Sequence, residues 1–123
     1  MMKKTGLIFL LFALSFSILY ATTESEVIGS WNCKTDTEET VEFQLTFFEK
    51  NGHLYGTYKT EKQELPLHYI RILDDQLRFQ VETRGLKIKY RSTIEGNGIE
   101  GTISAENLAV EFTGTRAEPE QGQ

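Results

Sequence analysis

The chain has 123 residues, a formal net charge of −5 and one cysteine. A single cysteine excludes an intramolecular disulfide, so the core alone must hold the fold. The acid excess argues against a binder of phosphate backbones, which needs clustered Lys and Arg, so nucleic acid is not an expected partner.

Residues 1–21 read as a signal peptide. Lys3 and Lys4 form a positive start, Leu7 to Tyr20 is apolar apart from Ser15 and Ser17, and Ala21 is a small residue at the point of cleavage. The apolar run is shorter than the ~20 residues that span a bilayer, although a retained anchor is the alternative. Cleavage removes Lys3 and Lys4 and no acid, so 13 basic residues become 11 against 18 acids, a net charge of −7. The expected location is the periplasm or the extracellular space, with no membrane association after cleavage. Residues 22–26 are a short polar linker.

The remainder alternates with period two and shows little helical periodicity. Val27 to Lys34 is the first predicted strand, placing Trp31 and Cys33 on one face. Cys33 reads as a small buried apolar residue, with a free or intermolecularly paired thiol as the alternative. Thr40 to Glu49 follows, with Val41, Phe43, Leu45 and Phe47 inward. Asn51-Gly52 is a strong hairpin signal, because both residues tolerate positive φ. His53 to Thr60 returns. Leu65 to Leu73 is the fourth strand, with Pro66 near its start; its alternation is poor, since Ile70 and Ile72 fall opposite Leu67 and Tyr69. Gln76 to Glu82, Leu86 to Ile94, Ile99 to Ser104 and Leu108 to Arg116 complete the set, joined by turns at Asp74-Asp75, Arg84-Gly85, Gly96-Asn97-Gly98 and Glu106-Asn107. Residues 117–123 form a polar tail expected to be disordered.

Eight short strands joined by tight turns imply an all-β, eight-stranded antiparallel up-and-down barrel over residues 27–116. A two-sheet sandwich is the alternative. In a barrel, Gly29 and Trp31 on the first strand meet Arg116 on the last.

These end motifs, Ile28-Gly29-Ser30-Trp31 and Phe112-Thr113-Gly114-Thr115-Arg116, together with Asn51 to Tyr58, resemble the calycin superfamily. Within it the chain is most similar to small bacterial lipocalin-like or avidin-like exported domains. The resemblance implies an Arg packed over a Trp at the closed end of the barrel, with Gly29, Trp31 and Arg116 structural. It implies a ligand site at the open mouth. The domain is shorter than a true lipocalin, so any cavity is expected to be small. Trp31 is the only tryptophan, whereas avidin-like pockets carry several.

No catalytic set is legible. His53 and His68 fall on different strands without ligand spacing for a metal, no nucleophile elbow is present, and no cofactor motif occurs. Asp36, Glu38, Glu39, Asp74 and Asp75 fall in loops, where acids make turns and interact with water. Arg84, Lys87, Lys89 and Arg91 form a basic stripe on the sixth predicted strand, read as an outer face paired across strands with acids such as Glu82, or else as an anion- or partner-binding stripe. The expected function is non-enzymatic binding of a small apolar or amphipathic molecule at the barrel mouth. The alternative is an envelope protein-interaction module or a protease-inhibitor-like barrel. Tyr55, His68, Tyr69 and Ile70, from the strands of ambiguous alternation, together with Tyr58, which alternation assigns inward, are the candidate ligand or partner face.

Overall fold

The computed structural model describes residues 23–118; the expected signal peptide and residues 119–123 of the tail lie outside that range. A short helix α1, Glu24–Val27, precedes nine strands: β1 Gly29–Thr35, β2 Glu42–Lys50, β3 His53–Lys59, β4 Glu64–Pro66, β5 His68–Leu73, β6 Gln76–Thr83, β7 Leu86–Glu95, β8 Gly98–Ala105 and β9 Leu108–Arg116. They form one antiparallel sheet in the order β4-β3-β2-β1-β9-β8-β7-β6-β5, a meander curled into a nearly closed barrel. The first and last strands pair directly, with Trp31 opposite Arg116 and Asn32 opposite Thr115.

The count is nine rather than the expected eight because the predicted fourth strand breaks at Leu67. Glu64–Pro66 pairs with β3, and His68–Leu73 pairs with β6. Pro66 has no N–H with which to continue a ladder. The next amide, Leu67 N–H, donates to the Gly56 carbonyl at 2.9 Å, and the Leu67 side chain enters the core. A Cβ at Gly56 would lie 2.7 Å from both Leu67 Cδ1 and the Thr46 carbonyl oxygen, so only glycine admits this crossing. Beyond it the β5–β6 register slips between His68 and Arg71. Tyr69 adopts φ +56 within that irregularity, which resets the alternation and turns Ile70 and Ile72 toward the core. The poor alternation in the sequence is thus the mark of a bulge.

The hairpins are tight. Asn51 and Gly52 have φ 54 and 80, and Arg84 and Gly85 have 51 and 79, the paired positive values of turns that suit sheet twist. Inward positions on the barrel build the core: Trp31, Cys33, Phe43, Leu45, Phe47, Leu67, Leu77, Phe79, Val81, Tyr90, Ile94, Ile99 and Phe112. Three sequence expectations need correcting. Val27 ends α1 instead of opening β1, and it is buried because the chain turns back over the barrel end. Val41, assigned inward by alternation, is exposed, and so is Leu86, which alternates in phase with Ile88 and Tyr90; both stand at strand ends beyond the core layers.

Candidate functional site

The barrel has two unlike ends. At the end reached by β9, Arg116 stacks its guanidinium carbon 4.2 Å from the centroid of the fully buried Trp31 ring. Its Nη1 donates to the Ile28 carbonyl at 2.7 Å and its Nη2 to the Glu26 carbonyl at 2.6 Å. Its Nε donates to Asn97 Oδ1 at 3.3 Å. Trp31 Nε1–H donates to the Val27 carbonyl at 3.0 Å. One arginine therefore ties the last strand to the carbonyls at the end of α1, across the tryptophan that plugs the barrel. Gly29, at φ +129, leaves the space: a Cβ there would stand 3.0 Å from Arg116 Nη1. Each of the three guanidinium nitrogens thus makes a hydrogen bond while one face lies on Trp31, which gives this end the chemistry of a structural clasp.

The turns 36–41, 60–63, 84–85 and 106–107 lie at the opposite end, as the antiparallel order requires. The middle of the barrel is filled by an aromatic cluster. Phe43 stacks on Tyr58 at 5.3 Å, Phe79 stacks on Tyr90 at 4.8 Å, and Phe112 meets Phe43 at 5.7 Å and Tyr90 at 5.9 Å. Tyr58, Leu65, Ile88 and Ile103 pack against this cluster yet are only partly buried. Leu86 and Leu108 stand exposed where β7 and β9 begin. The open end therefore presents part-buried and exposed apolar side chains over an aromatic floor.

Two phenols and a thiol give that floor a polar element. Burial pushes the Cys33 thiol up to about 12. Burial raises the Tyr58 phenol. Tyr90 is raised by burial first, then by the nearby Tyr58 and Cys33. All three are neutral at ordinary pH, able to donate hydrogen bonds but not to act as anions.

The residues proposed from sequence as a face divide between two environments. Tyr58 and Ile70 pack on the core. Tyr55 and Tyr69 are exposed and His68 is half-buried, with its ring 6.2 Å from that of Tyr69. Tyr55 stacks with Phe48 at 5.9 Å, so the outer aromatic surface includes a residue that sequence reasoning passed over. Its signal was available, since Phe48 breaks the polar alternation of β2. The basic stripe also divides. Lys87 stands opposite Glu82, as expected, but Lys89 faces Gln80 and Arg91 faces Arg78.

A groove of about 720 Å³ runs along β9, β1, β2 and β3, lined by the core residues Cys33 and Phe43 beside polar side chains that include Asn32, Lys34, Gln44 and Lys59. Gln44 Nε2 donates to Asn32 Oδ1 across it at 3.2 Å. The groove depends on sheet curvature, which no local sequence signal carries.

Among the described residues, no group of three His, Cys, Asp or Glu side chains is arranged to hold a metal ion, and no helix is long and apolar enough to cross a membrane. The geometry defines the class: an all-β, nearly closed antiparallel barrel with one clasped and one open end. No family model, curated protein or solved structure matches the chain.

Proposed function

We propose that this protein is a non-enzymatic exported binding domain that takes a small apolar or amphipathic molecule at the open end of its barrel. The observation that carries the reading is the half-buried set Tyr58, Leu65, Ile88 and Ile103, apolar surface packed on the aromatic floor and still partly accessible. The neutral phenols of Tyr58 and Tyr90 offer hydrogen bonds to one polar group of an amphipathic ligand. The leader-like segment around Lys3, Lys4 and Ala21 supports export. The resemblance of Gly29, Trp31 and Arg116 to the lipocalin-like pattern supports a barrel that binds at its mouth.

A second reading, an envelope protein-interaction module, is favoured by the exposed stacked pair Phe48 and Tyr55, 43% and 45% accessible. Native mass spectrometry of the protein isolated from its own envelope separates the two. A co-purifying small mass, lost in the Ile88→Glu variant, is the expected result. A second polypeptide with no small mass would replace the first reading by the second.

A further inference from the structure

The outer face of β5, β6 and β7 carries an arrangement that stability alone does not account for. The registers Arg71 opposite Arg78 and Arg78 opposite Arg91 set three arginines side by side in one row across three strands. Like charges directly opposite one another destabilise a sheet. The protein has more acids than bases, yet no carboxylate stands directly opposite any of the three. The next residue in the row, on β8, is Thr102, and the nearest acid on that strand, Glu100, faces Thr93 one diagonal away. Beside the row, Lys89 faces Gln80 and Ser104 instead of an acid.

The central arginine is also incompletely bonded. Arg78 Nη2 donates to Gln76 Oε1 at 3.0 Å, while its Nε is buried with no hydrogen-bond partner. A buried guanidinium nitrogen without an acceptor is costly and calls for a reason. Above it lies a concavity of about 270 Å³, lined by Arg71, Arg78, Gln80, Lys89, Arg91 and Tyr69 among others. Tyr69 is held at φ +56, a conformation unfavourable for a bulky residue, and is 68% exposed at the rim. Backbone strain of this kind tends to collect at binding sites. Unrelieved repulsion, an unmet donor and a strained aromatic thus converge on one concavity.

We propose that this concavity is an anion site, in which a group with several oxygens, phosphate being the simplest, bridges Arg71, Arg78 and Arg91. Guanidinium forks match such oxygens in geometry. A bound anion would convert the like-charge row into a set of shared contacts and, entering the concavity over Arg78, offer acceptors to its donors. The site lies on the outer wall of the barrel, so it stands or falls independently of binding at the open end. The same phosphate chemistry can arrive as a free small molecule or as a lipid headgroup.

The test is a ¹⁵N spectrum of the arginine Nε–H groups recorded while inorganic phosphate is added, against sodium chloride at equal ionic strength. The expected result is a saturable shift of the Arg78 signal with phosphate and not with chloride. The apparent Kd should weaken at least tenfold in Arg78→Gln and in the exposed variant Arg71→Gln, while Lys34→Gln on the far wall leaves it unchanged. Unaltered Trp31 emission establishes that the variants are folded. Sedimentation with phosphatidylglycerol vesicles, against phosphatidylcholine vesicles, distinguishes the source. Arg78-dependent co-sedimentation assigns the headgroup, and phosphate binding without co-sedimentation assigns a free small anion. A phosphate response equal to that of chloride, or one that survives both arginine substitutions, together with no Arg78-dependent co-sedimentation, overturns the proposal.

Discussion

Arg116 makes three side-chain hydrogen bonds and a stacking contact on Trp31, with its Nη1 and Nη2 groups on the Ile28 and Glu26 carbonyls. Desolvated cation–π contacts contribute about 2 kcal/mol, and hydrogen bonds from a charged donor about 1.5–3 kcal/mol each. Arg116→Ala is therefore expected to destabilise the fold by roughly 3 kcal/mol and to shift Trp31 emission to longer wavelength; an unchanged melting curve and spectrum would remove the clasp from the account. Cys33 gives a prediction in pH. Its folded value is raised to about 12, against about 8.5 in an unfolded chain. The neutral thiol is favoured by the fold, so its contribution is intact below pH ~8.5 and is lost progressively as pH rises toward the folded value, by up to ~1.4 kcal/mol per pH unit. Tyr58 and Tyr90, raised in the same direction, add to the loss above pH ~10. Thermal melts should be flat from pH 6 to 8 and fall above ~8.5, and Cys33→Ala should delay the onset to pH ~10. A fall beginning at the same pH in both proteins would show that Cys33 is not the group responsible.

Among the elements, the break at Leu67 decides how the sheet closes. The ladder between β1 and β9 is continuous, whereas β5 is laddered only to β6. Hydrogen exchange should accordingly be slowest in β1 and β9 and faster in β5, whose outward edge lacks regular partners. Equal protection in all of these strands would contradict a local opening there. Gly56→Ala should cost about 2 kcal/mol in urea unfolding, because the added methyl meets a backbone oxygen that cannot move aside. The clear alternation of β2 and β6 made those strands legible, since each carries three successive inward residues in the core. The break in the predicted fourth strand was visible only as lost alternation around Leu67 and Tyr69. Its cause is tertiary: Gly56 lies on another strand, and the fit between that glycine and Leu67 exists only once β3 is in place. The arginine row was hidden for a related reason. Arg71, Arg78 and Arg91 are widely spaced along the chain, and only the register of two ladders sets them in line.

For the whole molecule, the two ends of the barrel divide the work. The clasped end joins the first and last strands and consumes Trp31 and Arg116, the residues that stand out most in the sequence. The open end keeps apolar side chains half-covered above an aromatic floor. The pair that makes the barrel recognisable was legible from its motifs and their position at the chain ends. The half-buried apolar set was less so, because half-burial of Ile88 and Ile103 depends on how far the turns of β6–β7 and β8–β9 extend past the core. The most direct measurement is a fluorescence titration with a single-chain amphipathic probe, comparing the native protein with Ile88→Glu and Ile103→Glu, both placed in the half-buried apolar set and away from Trp31. Saturable one-to-one binding that both substitutions abolish, with Trp31 emission unchanged, is the result predicted. Binding that survives both substitutions, or no saturable binding by the native protein, would contradict a ligand site at the open end.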